Sequence, residues 1–436
     1  MSHYKPYPAY RDSGVEWIGQ VPSKWEVKPI KIVATFNDDV LPDSTAADTP
    51  ISYVDISSVS YAAGIGSTEE MLFGNAPSRA RRKAKVGDVV ISTVRTYLKA
   101  VAAVDAAHAD CVYSTGFAVL RSRTGHIEPN FLKWLALNEL FIQSVESHSE
   151  GLSYPAINAP ELVNLKTVMP SLPEQATIAV TIDRETARFD ALIAKKTRFI
   201  ELLKEKRQAL ITHAVTKGLN PKAKMKASGV EWIGEVPEHW VAIKFNHVAR
   251  VTEGLVDPKA HPYREMVLIA PNHIESGTGK ILGLETAVFQ NAESGKYTCK
   301  KGAVIYSKIR PALAKVAIAP CDCLCSADMY PMDCTDRTYP EWLFYLMLSP
   351  PFTSWAILES DRVAMPKINR ESLADLRVFL PPMDEQLAAV AWLKAQVEKL
   401  EIVSLKTQHS IDLLKERRAA FITAAVTGQI DLRESA

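Results

Sequence analysis

The chain has 436 residues, of which 47% are hydrophobic and 23% charged, and its formal net charge is +1. This length accommodates two domains or more, each with its own core. No run of about 18 apolar residues is present, which excludes a transmembrane helix, and the near-neutral charge argues against a purely electrostatic polyanion binder. The polar N-terminus lacks the apolar core of a signal peptide, so we expect a cytoplasmic protein.

A motif of 13 residues occurs twice in the chain. Residues 13–25 read SGVEWIGQVPSKW and residues 228–240 read SGVEWIGEVPEHW, so ten positions are identical at an offset of 215. A second pair, LLKEKR at 202–207 and LLKERR at 413–418, recurs at an offset of 211. The chain is therefore two copies of one unit, each beginning with a Trp-rich motif and ending with a long helical segment.

The Trp-rich motif combines apolar anchors with turn residues. In the first copy Val15, Trp17, Val21 and Trp25 alternate with glycine and proline. This composition predicts a loop or short helix that packs at a junction. Direct contact of the tryptophans with nucleic acid is the alternative.

Residues 26 to about 130 contain short predicted strands separated by turns, for example at 51–56, 88–94 and 111–120. The densest basic run of the chain, residues 78–85, lies in this region. One interpretation is a solvated loop, and the other is a set of phosphate contacts that fix the domain on a duplex.

Two buried-strand patterns, at 87–95 and 302–310, finish on Ser-x-x-Arg. An arginine just past a strand is suited to reading guanine or binding phosphate. For Arg95 and Arg310 an internal salt bridge is equally compatible with the sequence.

Two polar, turn-rich segments, 149–158 and 360–369, share the frame Pro-x-Ile-Asn but differ in their other side chains. Recognition residues usually lie on loops held by a rigid scaffold. A shared frame with different side chains is what two domains of one fold require to read different targets. Apolar spacing at 131–145 and 342–348 predicts short helices just before these segments.

Apolar residues recur at helical spacing from Ile178 to Leu210 and from Val390 to Phe421. Such a helix cannot bury its apolar stripe alone, and the other copy supplies a partner. Two like units related by a two-fold axis make these helices antiparallel. By the same symmetry, the first Trp motif should pack where the second helix ends, near residues 425–430.

The sequence lacks a recognisable catalytic constellation. Residues 276–281, SGTGKI, lack the first glycine and the Ser or Thr of a phosphate-binding loop. Cys321, Cys323 and Cys325 do not have the spacing of common zinc sites, which favours small buried side chains over a metal site.

The duplicated GVEWIGxVPxxW motif and the duplicated segments from Glu-Gln to Ala-Val-Thr resemble the specificity (S) subunit of type I restriction-modification systems, over essentially the whole chain. The resemblance implies an α+β fold. Two pseudo-two-fold-related, mixed α/β target recognition domains would be separated by a pair of long antiparallel coiled-coil helices. Each domain would read one half of a bipartite, asymmetric DNA site, while the helices set the spacing and dock two methyltransferase subunits.

With this resemblance the chain divides into five segments. They are recognition domain 1 (1–170, with the Trp motif 13–25), a central helix (171–219), recognition domain 2 (220–380, with the Trp motif 228–240), a C-terminal helix (381–428) and a tail (429–436). The predicted DNA contacts are Arg79, Arg81, Arg82, Lys83, Arg95, Tyr97, Lys99, Ser153, Tyr154, Lys308, Arg310, Arg362 and Lys367.

The resemblance also implies a non-catalytic subunit without a cofactor of its own. S-adenosylmethionine, magnesium and ATP would bind to the methyltransferase partners and to the restriction subunits of the full complex. Two other interpretations remain: a coiled-coil scaffold that binds proteins without DNA specificity, and an enzyme with an unrecognised active site.

Overall fold

The computed structural model describes residues 4–61, 63–230, 232–360 and 366–433. The chain forms two compact units. Unit 1 comprises Met1–Lys196 and His409–Ala436, and unit 2 comprises Thr197–Gln408. None of the helices in the described residues is long and apolar enough to cross a membrane.

Unit 1 contains two principal sheets. The first is antiparallel, with strands in the order Val101–Ala103, Val89–Ser92, Phe117–Ser122 and Ala34–Phe36. The second has the order Asp39–Val40, Ala80–Lys83, Val112–Ser114, Pro50–Val54 and Glu69–Leu72. Shorter pairs join Tyr10–Asp12 to Gln20–Pro22, Glu26–Pro29 to Lys166–Met169, and Val59–Ser60 to Gly64–Ile65.

Among the described residues of unit 1, short α-helices are formed by Ile30–Val33, Pro129–Ala136, Glu139–Ser147 and Ala159–Asn164. The single helix predicted at 131–145 is wrong, because the chain breaks at Asn138. The Asn138 side chain accepts a hydrogen bond from the Leu140 amide (3.0 Å) and caps a second helix. The strand predicted at 111–120 is likewise two strands, separated at Gly116, where a Cβ atom would lie 2.6 Å from the side chain of Ile56.

Unit 2 repeats the topology of the first sheet. Its four antiparallel strands follow the order Val316–Ile318, Val304–Ser307, Met329–Cys334 and Ala249–Val251. A smaller sheet contains Leu268–Ile269, Cys323–Cys325 and Tyr297–Cys299, and two-stranded pairs join Met225–Ala227 to Glu235–Pro237 and Val241–Lys244 to Arg377–Leu380. The short helices are Pro340–Leu348, Pro350–Ser360 and Arg370–Asp375.

Two long helices follow the globular parts. The central helix, Leu172–Lys217, has 46 residues, and the C-terminal helix, Met383–Val426, has 44. At 1.5 Å per residue each is about 65–70 Å long. They lie within the segments 171–219 and 381–428.

In each unit the two helices run antiparallel. In unit 1 the first part of the central helix packs on the last part of the C-terminal helix: the Phe189 and Phe421 ring centroids are 6.5 Å apart, and Arg418 Nε lies 3.0 Å from Asp190 Oδ1. In unit 2 the end of the central helix and the start of the C-terminal helix share one core, through residues such as Ile211 and Leu393. The expected antiparallel pairing is therefore confirmed within each unit.

The first Trp motif packs on the end of the C-terminal helix, as expected. Trp25 and Val21 share a core with Ala425 and Ile430, and the Tyr10 hydroxyl donates to the Gly428 carbonyl (3.1 Å). Within the motif only Gln20–Pro22 is a strand, which pairs with Tyr10–Asp12, and the other residues form turns, so the motif is a packed loop rather than a helix.

The second Trp motif packs in the same way at the end of the central helix. A Cβ atom on Gly218 would lie 3.3 Å from the Trp240 ring, and the Trp240 indole donates to Glu385 (3.0 Å). The packing interpretation of the duplicated motif therefore holds in both units.

Substitution of Gly428 tests the packing of the first Trp motif on the end of the C-terminal helix. It has φ +75°, and a Cβ atom there would lie 2.5 Å from Pro22 and 2.9 Å from the Trp25 ring. We expect Gly428→Ala to lower the free energy of unfolding by about 2–4 kcal/mol, because a left-handed residue and an overpacked contact each cost about 1–2 kcal/mol. Gly125→Ala is the control, since Gly125 has φ +81° but no neighbour within 4 Å. Equal losses in urea unfolding of the two variants would contradict the packed junction.

Candidate nucleic-acid interface

A buried strand ends in a left-handed arginine in both units. Strands Val89–Ser92 and Val304–Ser307 are buried along their whole length. Arg95 follows the first with φ 51° and ψ 49°, and Arg310 follows the second with φ 48° and ψ 59°. A left-handed non-glycine residue costs about 1–2 kcal/mol. Retention of this strained conformation in two copies indicates a backbone shape that the rest of the unit enforces.

Each arginine opens a short 3-10 turn that closes on a second left-handed residue. We call residues 94–99 and 309–314 the arginine turns. The closing residues are Lys99, with φ 49°, and Ala314, with φ 43°. The same backbone therefore carries different side chains in the two units.

The Ser-x-x-Arg spacing has a structural cause. The hydroxyl of buried Ser92 donates to the Val94 carbonyl, and that of buried Ser307 donates to the Ile309 carbonyl (3.0 Å). The serine thus satisfies a carbonyl that the turn removes from the sheet.

The Pro-x-Ile-Asn frame holds each arginine turn from the other side. The Arg95 amide donates to the Pro155 carbonyl (2.8 Å), and the Arg310 amide donates to the Pro366 carbonyl (3.0 Å). The isoleucine amide two residues further on donates back to the strand end, Ile157 to Thr93 and Ile368 to Lys308 (2.9 Å each).

The asparagine of the frame then caps the next short helix. Asn158 accepts from the Glu161 amide (2.9 Å) and Asn369 accepts from the Ser372 amide (2.7 Å). Every constant position of the frame therefore has a backbone role, which leaves the positions around it free to vary.

In unit 1 the predicted contacts of the turn and the loop come together. The exposed Arg95 guanidinium lies over the Tyr154 ring, 4.9 Å from its centroid. Tyr97 and Ser153 are exposed beside it, and Lys99 Nζ lies 3.7 Å from Glu139 Oε1. Among the described residues Arg95 has no carboxylate partner, so the salt bridge that the sequence allowed is not formed.

In unit 2 different residues surround the arginine turn. Arg310 and Lys367 are exposed, and Lys308 Nζ lies 5.3 Å from the centroid of the Tyr330 ring. Within the part of the chain that the structure describes, Arg310 too lacks a carboxylate partner. Arg362 lies outside the described residues.

Sequence reasoning did not single out Arg370, the residue after the Pro-x-Ile-Asn frame of unit 2, which lies 3.4 Å from Glu253. Its guanidinium lies 5.6 Å from the Tyr297 ring centroid and 5.5 Å from that of Tyr330, and it donates to the Tyr297 hydroxyl (3.1 Å). The position is Ala159 in unit 1. The sequence did offer a signal for this position, because both copies have the frame but only unit 2 has a cation directly after it.

The middle of the basic run, Ala80–Lys83, is a strand, so the interpretation as a solvated loop is wrong for these residues. Arg79 Nη2 lies 2.8 Å from Asp55, and hydrogen bonding to Tyr53 raises the pKa of Arg79. Arg81 lies over the Phe73 ring (4.7 Å) and 3.3 Å from Asp43.

The other two predicted cations of this run differ in exposure. Arg82 is partly buried, and burial lowers the pKa of its guanidinium. Lys83 is exposed. Of the four predicted cations here, Lys83 is the one whose charge faces water without a carboxylate partner in the described residues.

The glycine-rich segment 276–281 forms a turn bound to the central helix. The carbonyls of Gly277 and Thr278 accept from Arg207 (2.7 and 2.9 Å). A phosphate loop directs amides outward, whereas this turn directs two carbonyls at a buried cation. The segment is therefore a structural contact.

The clustered cysteines belong to an apolar core. Cys323 and Cys325 are buried, together with Ile305 and Met329. A hydrogen bond with Cys299 and burial both raise the pKa of the Cys323 thiol. No group of three or more His, Cys, Asp or Glu suited to a metal ion occurs within residues 4–61, 63–230, 232–360 and 366–433.

The strain at the arginine turns can be measured without DNA. Arg95→Gly and Arg95→Ala remove the same side-chain contacts, but only glycine adopts a positive φ without cost. We expect the free energy of unfolding of Arg95→Gly to be about 1 kcal/mol higher than that of Arg95→Ala. The same difference is expected between Arg310→Gly and Arg310→Ala. Urea unfolding gives the comparison, and an alanine variant as stable as its glycine counterpart would contradict the left-handed backbone.

Comparison with known proteins identifies the family. The family model described as the type I restriction modification DNA specificity domain matches residues 237–413. The type I restriction enzyme EcoDI specificity subunit of Escherichia coli is 30% identical over 328 residues, which cover 71% of this chain and 72% of that protein. The putative type I restriction enzyme MjaX specificity subunit of Methanocaldococcus jannaschii is 23% identical, covering 95% of this chain and 96% of that protein.

Solved structures share the fold. A chain from a study of complex assembly and conformational transition of the type I R-M system matches with a TM-score of 0.71 at 20% identity, covering 94% of this chain and 99% of that one. The HsdS subunit from Thermoanaerobacter tengcongensis matches with a TM-score of 0.53 at 22% identity, covering 94% and 98%. The chain belongs to the specificity subunits of type I restriction-modification systems, which are non-catalytic and carry DNA sequence specificity.

Proposed function

We propose that each unit of this specificity subunit reads one half of a bipartite, asymmetric DNA site through its arginine turn and the loop bound to it. The observation that carries the proposal is the duplicated left-handed arginine, exposed and without a carboxylate partner among the described residues of either unit. A guanidinium held in a fixed direction suits bidentate binding to guanine. The alternative of a scaffold without DNA specificity is not favoured by the family.

The segment boundaries belong to the same proposal. Residues 1–170 and 220–380 would each be a target recognition domain, with 171–219 and 381–428 as the connecting helices and 429–436 as a tail. The duplicated sheet order supports equivalent roles for the two globular parts.

The predicted contacts divide by their surroundings into base-reading and backbone-binding groups. We assign Arg95, Arg310 and the adjoining Tyr97, Ser153 and Tyr154 to base edges, because they surround the rigid turns. Lys83 and Lys367 suit phosphates, since both are exposed. The remaining predicted cations of unit 1 are weaker candidates; Arg79, Arg81 and Lys99 already have carboxylate partners, and Arg82 is partly buried. In unit 2, Lys308 is partly buried beside Tyr330.

Replacing each arginine in turn tests which half of the DNA site it reads. We expect Arg95→Ala to relax the sequence requirement in one half only and Arg310→Ala in the other, each at about 1–3 kcal/mol of discrimination. Sequencing the modified adenines in DNA from cells that express the variant with its methyltransferase subunits gives the readout. Lys83→Ala is the control, and should weaken binding to all sequences and reduce the salt dependence by about one phosphate contact. Uniform weakening by the arginine variants would instead make them phosphate contacts.

The long helices are proposed to set the spacing between the half-sites. Register along two packed helices fixes distance and rotation, which a flexible linker does not. Support comes from the antiparallel packing of the helices in both units, for example between Phe189 and Phe421.

Lengthening the two long helices tests whether they set the spacing between the half-sites. One heptad inserted into each long helix, after Lys196 and before His409, adds about 10 Å, or roughly three base pairs. We expect the spacer of the modified site to lengthen accordingly. The same seven residues inserted at the exposed turn of Gly125 should leave the spacer unchanged. If the helix variant still modifies sites with the original spacer, the helices do not set the spacing.

Two methyltransferase subunits are the proposed partners of the helices, with restriction subunits joining the full complex in the cytoplasm. S-adenosylmethionine, magnesium and ATP would bind to those partners. In unit 2 the helices expose several large apolar side chains, namely Phe199, Leu202, Ile402 and Leu405. Exposed apolar residues along a helix are typical of an interface.

Leu405 tests this docking surface. We expect Leu405→Ser to weaken co-purification with the methyltransferase subunit, because burial of a leucine contributes about 1.5–3 kcal/mol. Lys406→Ser introduces the same residue at the next exposed position and should leave co-purification unchanged. Equal behaviour of the two variants would remove this face of the helix from the interface.

A further inference from the structure

The recognition loop of unit 1 has an apolar tip that its predicted polar contacts do not explain. Glu150 and Ala156 exchange two backbone hydrogen bonds of 2.9 Å, which close a hairpin. Leu152 lies within this hairpin and is fully exposed. Gly151, with φ 111°, makes the turn tight, since a Cβ atom there would lie 3.2 Å from the Tyr154 carbonyl oxygen.

Other apolar side chains of the hairpin and of the arginine turn are exposed as well. Tyr154 is 66% exposed, and on the arginine turn Tyr97 and Leu98 are 54% and 45% exposed. The two segments are fastened together, because the Arg95 amide donates to Pro155 (2.8 Å) and the Thr96 hydroxyl donates to Ser149 (2.9 Å). Several exposed apolar side chains on two joined loops indicate a binding surface rather than scattered exposure.

A cation beside these apolar side chains favours DNA as their occupant. The Arg95 guanidinium, which has no carboxylate partner among the described residues, lies against the Tyr154 ring, whereas Lys99 is paired with Glu139 (3.7 Å). Cations beside an apolar surface match a groove in which phosphates flank the base edges. In the major groove the apolar group of a base edge is the 5-methyl of thymine.

We propose that Leu152 contacts the 5-methyl group of a thymine in the half-site that unit 1 reads. Leu152 is thus a specificity-determining residue that distinguishes an A·T pair by its methyl group, beside the hydrogen bonds that Arg95 makes. The inference rests on the proposed function, since it requires that the loop of unit 1 enters the groove.

Deoxyuridine substitution tests the contact, because it removes the methyl group and leaves every hydrogen-bonding atom of the base in place. The chain is assembled with its methyltransferase subunits and bound to duplexes that contain its modified site. Each thymine of the half-site relaxed by Arg95→Ala is replaced singly by deoxyuridine. We expect the wild-type complex to lose about fourfold in affinity at one position, the equivalent of about 0.8 kcal/mol for one buried methyl-sized group.

The matched variants decide which side chain makes the contact. Leu152→Ala should bind the thymine and deoxyuridine duplexes equally at that position, whereas Leu72→Ala, at an exposed leucine on another strand of unit 1, should retain the fourfold difference. Leu152 is fully exposed, so its replacement leaves the fold intact.

Two results would overturn the inference: equal affinity of the wild-type complex for all the duplexes, and an unchanged thymine preference in Leu152→Ala. If the variant with the unchanged preference also loses methyltransferase binding, a protein surface is the occupant of these apolar side chains. If Arg95→Ala relaxes neither half-site, the proposed function itself fails, which is a distinct outcome.

Discussion

The left-handed arginine at the end of a buried strand is the constraint on which each unit depends. A residue in this conformation costs about 1–2 kcal/mol, and each arginine turn contains two. The turn of unit 1 is held on one side by the Ser92 hydroxyl, which donates to the Val94 carbonyl, and on the other by the Pro155 carbonyl, which accepts from the Arg95 amide. These bonds make the turn part of the sheet rather than a loop attached to it. The backbone that carries the guanidinium is therefore fixed. Under the proposed function, less conformational entropy is lost when the side chain binds DNA.

The two units share this backbone and differ in what surrounds it. In unit 1 the arginine stacks on Tyr154, beside an exposed apolar tip. In unit 2 a second cation, Arg370, lies against Tyr297 and Tyr330 at a position that is alanine in unit 1. The constant residues of the frame bind backbone groups, so the variable residues can change without loss of the turn. Under the proposed function, this separation of constant frame and variable surface lets one fold, used twice, recognise two different half-sites.

The sequence was most informative where the structure repeats itself. Duplication of the Trp motif predicted its packing against the end of a helix, and the two-fold relation of the repeated units predicted the antiparallel pairing found within each unit. Both predictions depend only on periodicity and symmetry. The resemblance carried by the same repeats predicted the family.

Long-range contacts and backbone strain could not be predicted. The basic run gave no sign that Arg79 and Arg81 meet Asp55 and Asp43, residues that are distant in the chain. An arginine in a left-handed conformation has no local signal, because glycine is the residue that usually marks one. The break at Asn138 was visible in principle, since asparagine is a preferred N-cap, but the apolar spacing on either side concealed it.

Site-specific cross-linking tests the central claim most directly. A photoreactive benzoylphenylalanine placed at Tyr97, and separately at the equivalent Ala312, would report which nucleotides lie beside each arginine turn in the complex with methyltransferase subunits and DNA. We predict cross-links from position 97 to one half of the bipartite site only, and from position 312 to the other half only. Cross-links from both positions to the same half, or to protein alone, would contradict one arginine turn for each half-site.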